Sequence, residues 1–435
     1  MPDFKKILKM SPAPETELIY TENELFYTRY SQSAISENIR EQDSILNIRV
    51  LKNNKLGSAQ TNKYDDASIK LAYQKAMESV KAQKKDNSIL PLPDPKKYKE
   101  TDHFDKETAE LAPLKKAEIL AGILNKAKNE KVSGLFTNGY SGITIANSNG
   151  LMAQHKASEC KVSFTVEIDG ATSSWSNEAR NISGLNPISV YETAREFAKM
   201  NANPQNIEPG KYDVVLTPHA FLEILDMLLF YGLATLPYIE KRSPMNDRLG
   251  KKIFSELFSV YEDPFDAEAG GMSFDYEGWP RQKVTLIENG VLKGFVHDRK
   301  TAAAMGMKST GHSLGEPNTF GPLPLNPIVP GGNHTPDEMI GSLKKGLYIR
   351  KLHYTNVLNR KDLLITGMTR DGVFYVENGK IKHPVINLRF GVSLFEILSN
   401  ITMLGPQSII DFSEGWGKLP WVKIEGFNFS SSTEF

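Results

Sequence analysis

The sequence predicts an α+β protein of two domains: an N-terminal α/β domain of strands and helices over residues 1–205, and a C-terminal, mostly antiparallel β domain with one prominent helix over 206–435. Three observations predict this. In the first 200 residues strand-like runs are followed by an amphipathic helical stripe, and a second stripe is followed by further strand-like runs. A stretch punctuated by Asn203-Pro204 and Pro209-Gly210 then marks a boundary near 203–210. Beyond it Asn-Gly dipeptides twice divide β-rich runs, the strongest short hairpin signal, because a type I′ turn needs positive φ at both central residues.

Taken in order, residues 25–61 read as a meander of about four strands, with polar breaks near 31–36, at Glu41-Gln42-Asp43-Ser44 and at Lys52-Asn53-Asn54-Lys55. Asp65 and Asp66 supply an N-cap for a helix whose stripe is Ile69, Ala72, Tyr73, Ala76, Met77 and Val80. Residues 84–112, with Pro91, Pro93 and Pro95 amid Lys and Asp, form an extended connection. A second helix is expected over 114–128 on Ala117, Leu120, Ala121 and Leu124, then strands at 135–146, 151–155 and 160–168. The order strands, helix, helix, strands suggests internal pseudo-symmetry, although no residue-level repeat is visible. A third helix spans 190–200, and a strand at 212–216 leads into a helix from Pro218 to about Tyr231. The hairpins centre on Glu288-Asn289-Gly290 and Glu377-Asn378-Gly379.

A chain of 435 residues with 40% hydrophobic and 24% charged side chains has the composition of a folded globular protein. Its 52 basic and 52 acidic residues cancel, which disfavours a nucleic-acid-coating function. One cysteine, Cys160, removes internal disulfides, Cys-rich zinc sites and redox pairs, and fits a reducing cytoplasm. The first nine residues carry charge but lead into no apolar core of a secretory signal. The most apolar stretch, 227–237, has 11 residues where a span needs ~20, so a soluble, cytoplasmic protein without membrane contact is expected.

Gly311-His312-Ser313-Leu314-Gly315 is a literal G-x-S-x-G, which would make Ser313 a nucleophile served by Asp337 or Asp362 and by His383. That elbow needs a hydrophobic strand before the serine and a helix after it. The alanine-rich 301–307 and the run Glu316-Pro317-Asn318 supply neither, so a Gly-rich surface loop is the expectation. The eight histidines form no H-x-H, H-E-x-x-H or H-x-x-x-H. His219 and Glu223 share a helical face, which reads as a capping and surface pair. Phosphate-binding loops are absent. Acids gather in Glu262-Asp263-Pro264-Phe265-Asp266 and Asp275-Tyr276-Glu277-Gly278. Asp275 and Glu277 are the candidates for acid or base chemistry, against the favoured alternative of a solvated turn.

From 274 onward the runs Asp275-Tyr276-Glu277-Gly278-Trp279-Pro280, Leu286-Ile287-Glu288-Asn289-Gly290-Val291-Leu292-Lys293-Gly294-Phe295, Asp298, Thr301-Ala302-Ala303 and Ser309-Thr310-Gly311 resemble the central signature of the TldD/PmbA (TldD/TldE) proteins. The likeness continues through Asn326-Pro327-Ile328-Val329-Pro330-Gly331-Gly332 and Thr366-Gly367-Met368-Thr369-Arg370-Asp371-Gly372, and Leu56-Gly57-Ser58-Ala59 fits at the front. The resemblance implies a metallopeptidase family of two-domain dimers in proteolysis or peptide maturation, some bearing the older label of DNA gyrase modulator. In TldD-type members an H-E-x-x-x-H helix and a later cysteine hold zinc; PmbA/TldE-type members lack this set. An ungapped comparison puts Asp226 and Met227 where His-Glu would stand, Tyr231 near the second histidine, and Trp416 of Gly415-Trp416-Gly417-Lys418 in the cysteine place. The resemblance therefore implies a PmbA/TldE-like subunit without a cofactor of its own, zinc belonging to a TldD-like partner. A homodimer or a heterodimer with that partner, acting on unfolded or short peptides, is expected. An autonomous peptidase or hydrolase with a non-standard site is the alternative, and a gyrase-modulating binding protein the third.

Overall fold

The computed structural model describes residues 1–127, 129–315, 318–412 and 415–433. The first sheet has six antiparallel strands: β1 (Glu15–Ser31), β2 (Ala34–Lys52), β3 (Lys55–Thr61), β4 (Lys131–Asn147), β5 (Met152–Ile168) and β6 (Ala171–Ala179). Their order is β3-β2-β1-β4-β5-β6, so two three-stranded meanders lie side by side, joined where β1 pairs with β4. Gln32-Ser33 and Asn53-Asn54 turn the first meander with positive φ at both residues of each pair, as two-residue hairpins require.

Three strands thus stand where about four were expected. Glu41-Gln42-Asp43-Ser44 does not break β2, because its pairing with β1 runs on through Leu25↔Glu41 to Glu22↔Ser44, and much of this part of the hairpin is open to solvent, where polar side chains are tolerated. The runs 151–155 and 160–168 are one strand, since Ser158 between them is buried and its hydroxyl donates to the Arg180 carbonyl at 2.6 Å. Strand β6 carries no apolar run that would announce it; Ser173 and Ser174 point to partners across the domain interface instead.

One face of this sheet carries the helices. Leu18, Tyr20, Leu46, Ile48 and Val50 pack under the helix Asp66–Ala82, through its Ile69, Ala72, Tyr73, Ala76 and Val80. Phe136, Val162, Phe164 and Val166 pack under the helices Pro113–Leu124 and Pro187–Met200. The former helix ends at Leu124, and Lys128, its expected last residue, lies outside the described residues. The latter starts at Pro187, where the Asn186 side chain accepts from Ser189 N. Because side chains alternate along a strand, Ile19, Ile143, Ile145 and Ala153 face the other way, onto Phe274 of the second domain.

The second sheet comprises β7 (Gly210–Leu216), β8 (Val260–Glu262), β9 (Val284–Glu288), β10 (Val291–Leu292), β11 (Pro327–Ile328), β12 (Lys345–Asn359), β13 (Leu364–Glu377), β14 (Lys380–Pro384), β15 (Leu388–Ser393), β16 (Ile401–Phe412) and β17 (Gly415–Ser432). Pairing is antiparallel apart from β7–β12 and β11–β17. Strands β7, β12, β13, β15 and β17 close a ring, because β17 pairs with both β15 and β7. The helix Pro218–Met227, capped by Thr217, buries Phe221, Ile224 and Leu225 against this core and continues as a π-helical turn over Leu228–Gly232. Both Asn-Gly hairpins are present, with φ of 49° and 77° at Asn289 and Gly290, and 50° and 73° at Asn378 and Gly379.

The two domains meet through polar contacts as well as apolar ones. Arg350, fully buried, donates to Ser173 Oγ at 2.6 Å and to the Asp371 carbonyl at 3.2 Å, with its guanidinium 3.6 Å from the centre of the Phe197 ring. Lys351 donates to Ser174 Oγ at 2.7 Å. Among the described residues no helix is long and apolar enough to cross a membrane.

Candidate functional site

The loops that face the first sheet are held by buried acids. Asp275 accepts from Glu277 N at 3.0 Å and Trp279 N at 2.9 Å through Oδ1, and from Ser313 N at 2.9 Å through Oδ2. One carboxylate thus closes its own turn and ties it to the 309–315 loop. Burial pushes Asp275 up to about 6, against the three N–H donors and Arg281. Glu262 sits deeper. Arg281 Nη2 donates to its Oε1, His312 Nε2 donates to the same oxygen at 3.2 Å, and Asn326 N donates to Oε2 at 2.8 Å. Burial alone would raise Glu262, but Arg281, His312 and the Asn326 N–H together hold it below the usual carboxylate range. The His312 imidazole is kept neutral by burial. Since a carboxylate only accepts, Nε2 carries the ring proton and Nδ1 accepts from the Thr310 hydroxyl at 2.9 Å.

These contacts correct two sequence expectations. The acids at 262 and 275 are not a solvated turn but fastenings in the interior, each saturated by backbone or guanidinium donors. The G-x-S-x-G is not a surface loop either: His312 and Ser313 are buried, and Ser313 Oγ accepts from Gly315 N at 3.1 Å. Its proposed partners are engaged elsewhere. Asp337 opens the helix Pro336–Gly341, Asp362 accepts from Asn359, and the His383 ring stacks on Tyr375. Glu316 and Pro317 lie outside the described residues. Asn326, which completes the network with Arg281, stood in the sequence only within the run that carries the family resemblance, and Arg281 had no signal at all.

Glu277 points to a different place. It lines a cavity of about 210 Å³ between the domains with Glu17, Arg49, Arg299 and Lys300. Burial first, and then the nearby Asp275 charge, push it up to about 8.

A larger cleft of about 470 Å³ opens between the first sheet and the second domain. Glu22, Asp43, His155 and Glu159 line it from the sheet; Arg180, Met272, Tyr276, Leu325, Asn326 and Trp416 line it from the side of the second domain and the chain entering it. Burial drives His155 down to about 3, aided by His103 and two arginines, so it is neutral.

The residues aligned with a zinc motif sit in the buried helix. Met227 and Tyr231 pack against the hydrophobic core, and Arg360 lies over the Tyr231 ring at 5.3 Å. Asp226 is raised by burial and by Glu223. Trp416 is buried under the Arg180 guanidinium at 4.2 Å. A carboxylate, a thioether, a phenol and an indole are not a zinc donor set, and these residues do not fit that ion. Among the described residues no group of three or more His, Cys, Asp or Glu side chains could hold a metal. His219 is not a surface residue: its ring lies 4.6 Å from that of Trp175 across the domain interface, and burial lowers it to about 3. Cys160 is buried in the first domain.

Residues 209–431, just over half of the chain, match the model of the PmbA/TldA metallopeptidase C-terminal domain, and residues 16–80 match that of domain 1. The chain belongs to the PmbA/TldD metallopeptidase family. Within the family, the metalloprotease PmbA homolog of Haemophilus influenzae is 25% identical over 87% of this chain and 86% of its own. The metalloprotease TldD homolog of Buchnera aphidicola from Acyrthosiphon pisum is 24% identical over 88% and 83%. TldE from Thermococcus kodakarensis has the same fold, with a TM-score of 0.88 over 98% of this chain and 99% of that one at 20% identity.

Proposed function

We propose that this chain is a PmbA/TldE-like subunit that binds unfolded or short peptides in the interdomain cleft and holds no zinc, so that hydrolysis requires a zinc-bearing TldD-like partner in a heterodimer. The observation that supports this reading is the place of Met227. A metallopeptidase needs a metal to polarise the carbonyl and a carboxylate to move the proton of the attacking water. The thioether at the aligned position does neither and is packed against the core. The contribution left to this chain is the cleft, which can hold an extended peptide between the sheet face and Trp416.

The test is reconstitution. The purified chain is expected to carry zinc well below one per chain, to keep its melting temperature in chelator, and to leave an unstructured peptide intact. Mixed with a TldD-like partner bearing H-E-x-x-x-H, it is expected to give chelator-sensitive cleavage and to sediment well above the 48.6 kDa of one chain. One firmly held zinc per chain, or cleavage by the chain alone, would refute the reading and favour an autonomous peptidase.

A further inference from the structure

Arg180 is a feature of the cleft that the contacts of the described residues do not explain. It follows β6, lies over the Trp416 ring at 4.2 Å and donates from Nη2 to the Gly270 carbonyl at 3.1 Å. Its Nε is buried without a hydrogen-bond partner. Among the described residues no carboxylate lies within ion-pair distance of it, in contrast to Arg49, Arg195 and Arg281, which each have one. Glu159 and Asp411 act on it only through space. A half-buried guanidinium whose Nε is shut off from water is disfavoured without a paired charge unless something supplies the countercharge.

The surroundings narrow the choice of ligand. The cleft is open enough to admit a chain end, and Met272, Tyr276, Leu325 and Trp416 give it an apolar wall. Glu22, Asp43 and Glu159 share the same space, which disfavours a dianion such as phosphate. Glu159 is raised by burial and, among the described residues, has no ion-pair partner, so it faces the cleft as an acceptor for an N–H. A peptide's last residue bears a monoanionic carboxylate and an amide N–H on one carbon atom. An Asp or Glu side chain places its carboxylate one or two carbons further away.

We propose that Arg180, stacked on Trp416, is a subsite for the free C-terminal carboxylate of a bound peptide, with Glu159 receiving that residue's N–H and the apolar wall taking its side chain. This rests on the peptide-binding reading above and adds a polarity to it: the peptide lies with its C-terminus at Arg180.

Calorimetric titration of the full chain with three N-acetylated apolar hexapeptides tests the proposal. One ends in a free carboxylate, one in a carboxamide, and one in a carboxamide whose last residue is Glu. The free acid is expected to bind ~10- to 100-fold more tightly than either amide, the range for a charge-assisted hydrogen bond. Arg180→Gln is expected to bring the acid down to the level of the amides, and Arg180→Lys to lie between. Equal binding of acid and amide, equal binding of the Glu amide, or a folded Arg180→Gln chain that keeps the preference would overturn the proposal. If none of the three peptides binds, the peptide-binding reading itself falls and takes this one with it. The comparison of acid with amide on the unaltered chain stands whether or not the variants fold.

Discussion

Replacing Arg281 by Met is expected to destabilise the chain by about 3–5 kcal/mol, the range for removing one partner of a buried ion pair. The figure follows from what the side chain leaves behind. Arg281 and Glu262 are 1% and 0% exposed, so the pair is shielded from bulk solvent. Glu262 keeps the Asn326 N–H and the His312 N–H but loses the guanidinium paired with it, and Asn326 Oδ1 loses a donor at 2.9 Å. Methionine fills much of the volume, which confines the effect to electrostatics rather than to a cavity. Urea unfolding at several pH values reads the result. In the unaltered chain Glu262 lies below its ordinary value of 4.5, so its contribution is present above that value and is lost as pH falls through the lower folded one. In the variant, burial is unopposed by Arg281 and the folded value is expected to rise above 4.5. The penalty is then absent in acid and grows as pH rises. The gap between the two proteins should therefore be small near pH ~4 and full by pH ~7. Adding Glu262→Gln, which keeps an acceptor for Asn326 N but removes the stranded charge, should recover about 1–3 kcal/mol as a coupling energy. A loss below ~1 kcal/mol, a gap that does not vary with pH, or strict additivity of the two changes would refute the reasoning.

Glu277→Gln should stabilise the chain increasingly as pH rises from ~5 to ~8, because the folded value of Glu277 is raised to about 8 and the native carboxyl keeps its proton there while the unfolded chain ionises; a pH-independent difference in melting temperature would sink this. Gly311→Ala is expected to destabilise by about 2–3 kcal/mol, since φ is +73° and the new Cβ would stand 2.3 Å from the Pro280 carbonyl oxygen; a change under ~0.5 kcal/mol in urea would contradict it. Among the described residues Ser313→Ala takes away the acceptor for Gly315 N, so about 1 kcal/mol of stability should go while peptide cleavage in the reconstituted mixture stays at its starting rate. Abolished cleavage in a folded Ser313→Ala chain would restore the serine as a nucleophile.

Elements whose pattern serves one buried face were legible in the sequence. The helix Asp66–Ala82 showed its stripe and its Asp65 cap because both answer to local rules. The Asn-Gly hairpins showed themselves because their φ values leave few other residues. Strand β6 was hidden, since Ser173, Ser174 and Trp175 meet Arg350, Lys351 and His219, residues at least 40 positions away with no periodic relation to them. The site divides in the same way. Asp275 and Glu277 stood out as adjacent acids, but whether they face water or the interior depends on loops around Arg281 and Ser313 and on a sheet made by the other domain. Arg180 had no marker, because an unpaired guanidinium is a property of surroundings rather than of neighbours in the chain.

The ring in the second sheet also sets an order of events at the ribosome. Every strand of the first sheet has been made once Ala179 is out, so that domain can settle while synthesis continues. The second cannot. Strand β7 meets its partner in β17 only through pairs such as Val214↔Ile424 and Leu216↔Val422, more than 200 residues apart, and β11, β15 and β16 wait for the same strand. Until β12 and then β17 emerge, the helix Pro218–Met227 lacks the strands it packs against, and the nascent chain is open to chaperones and to self-association for longer than its size alone would require.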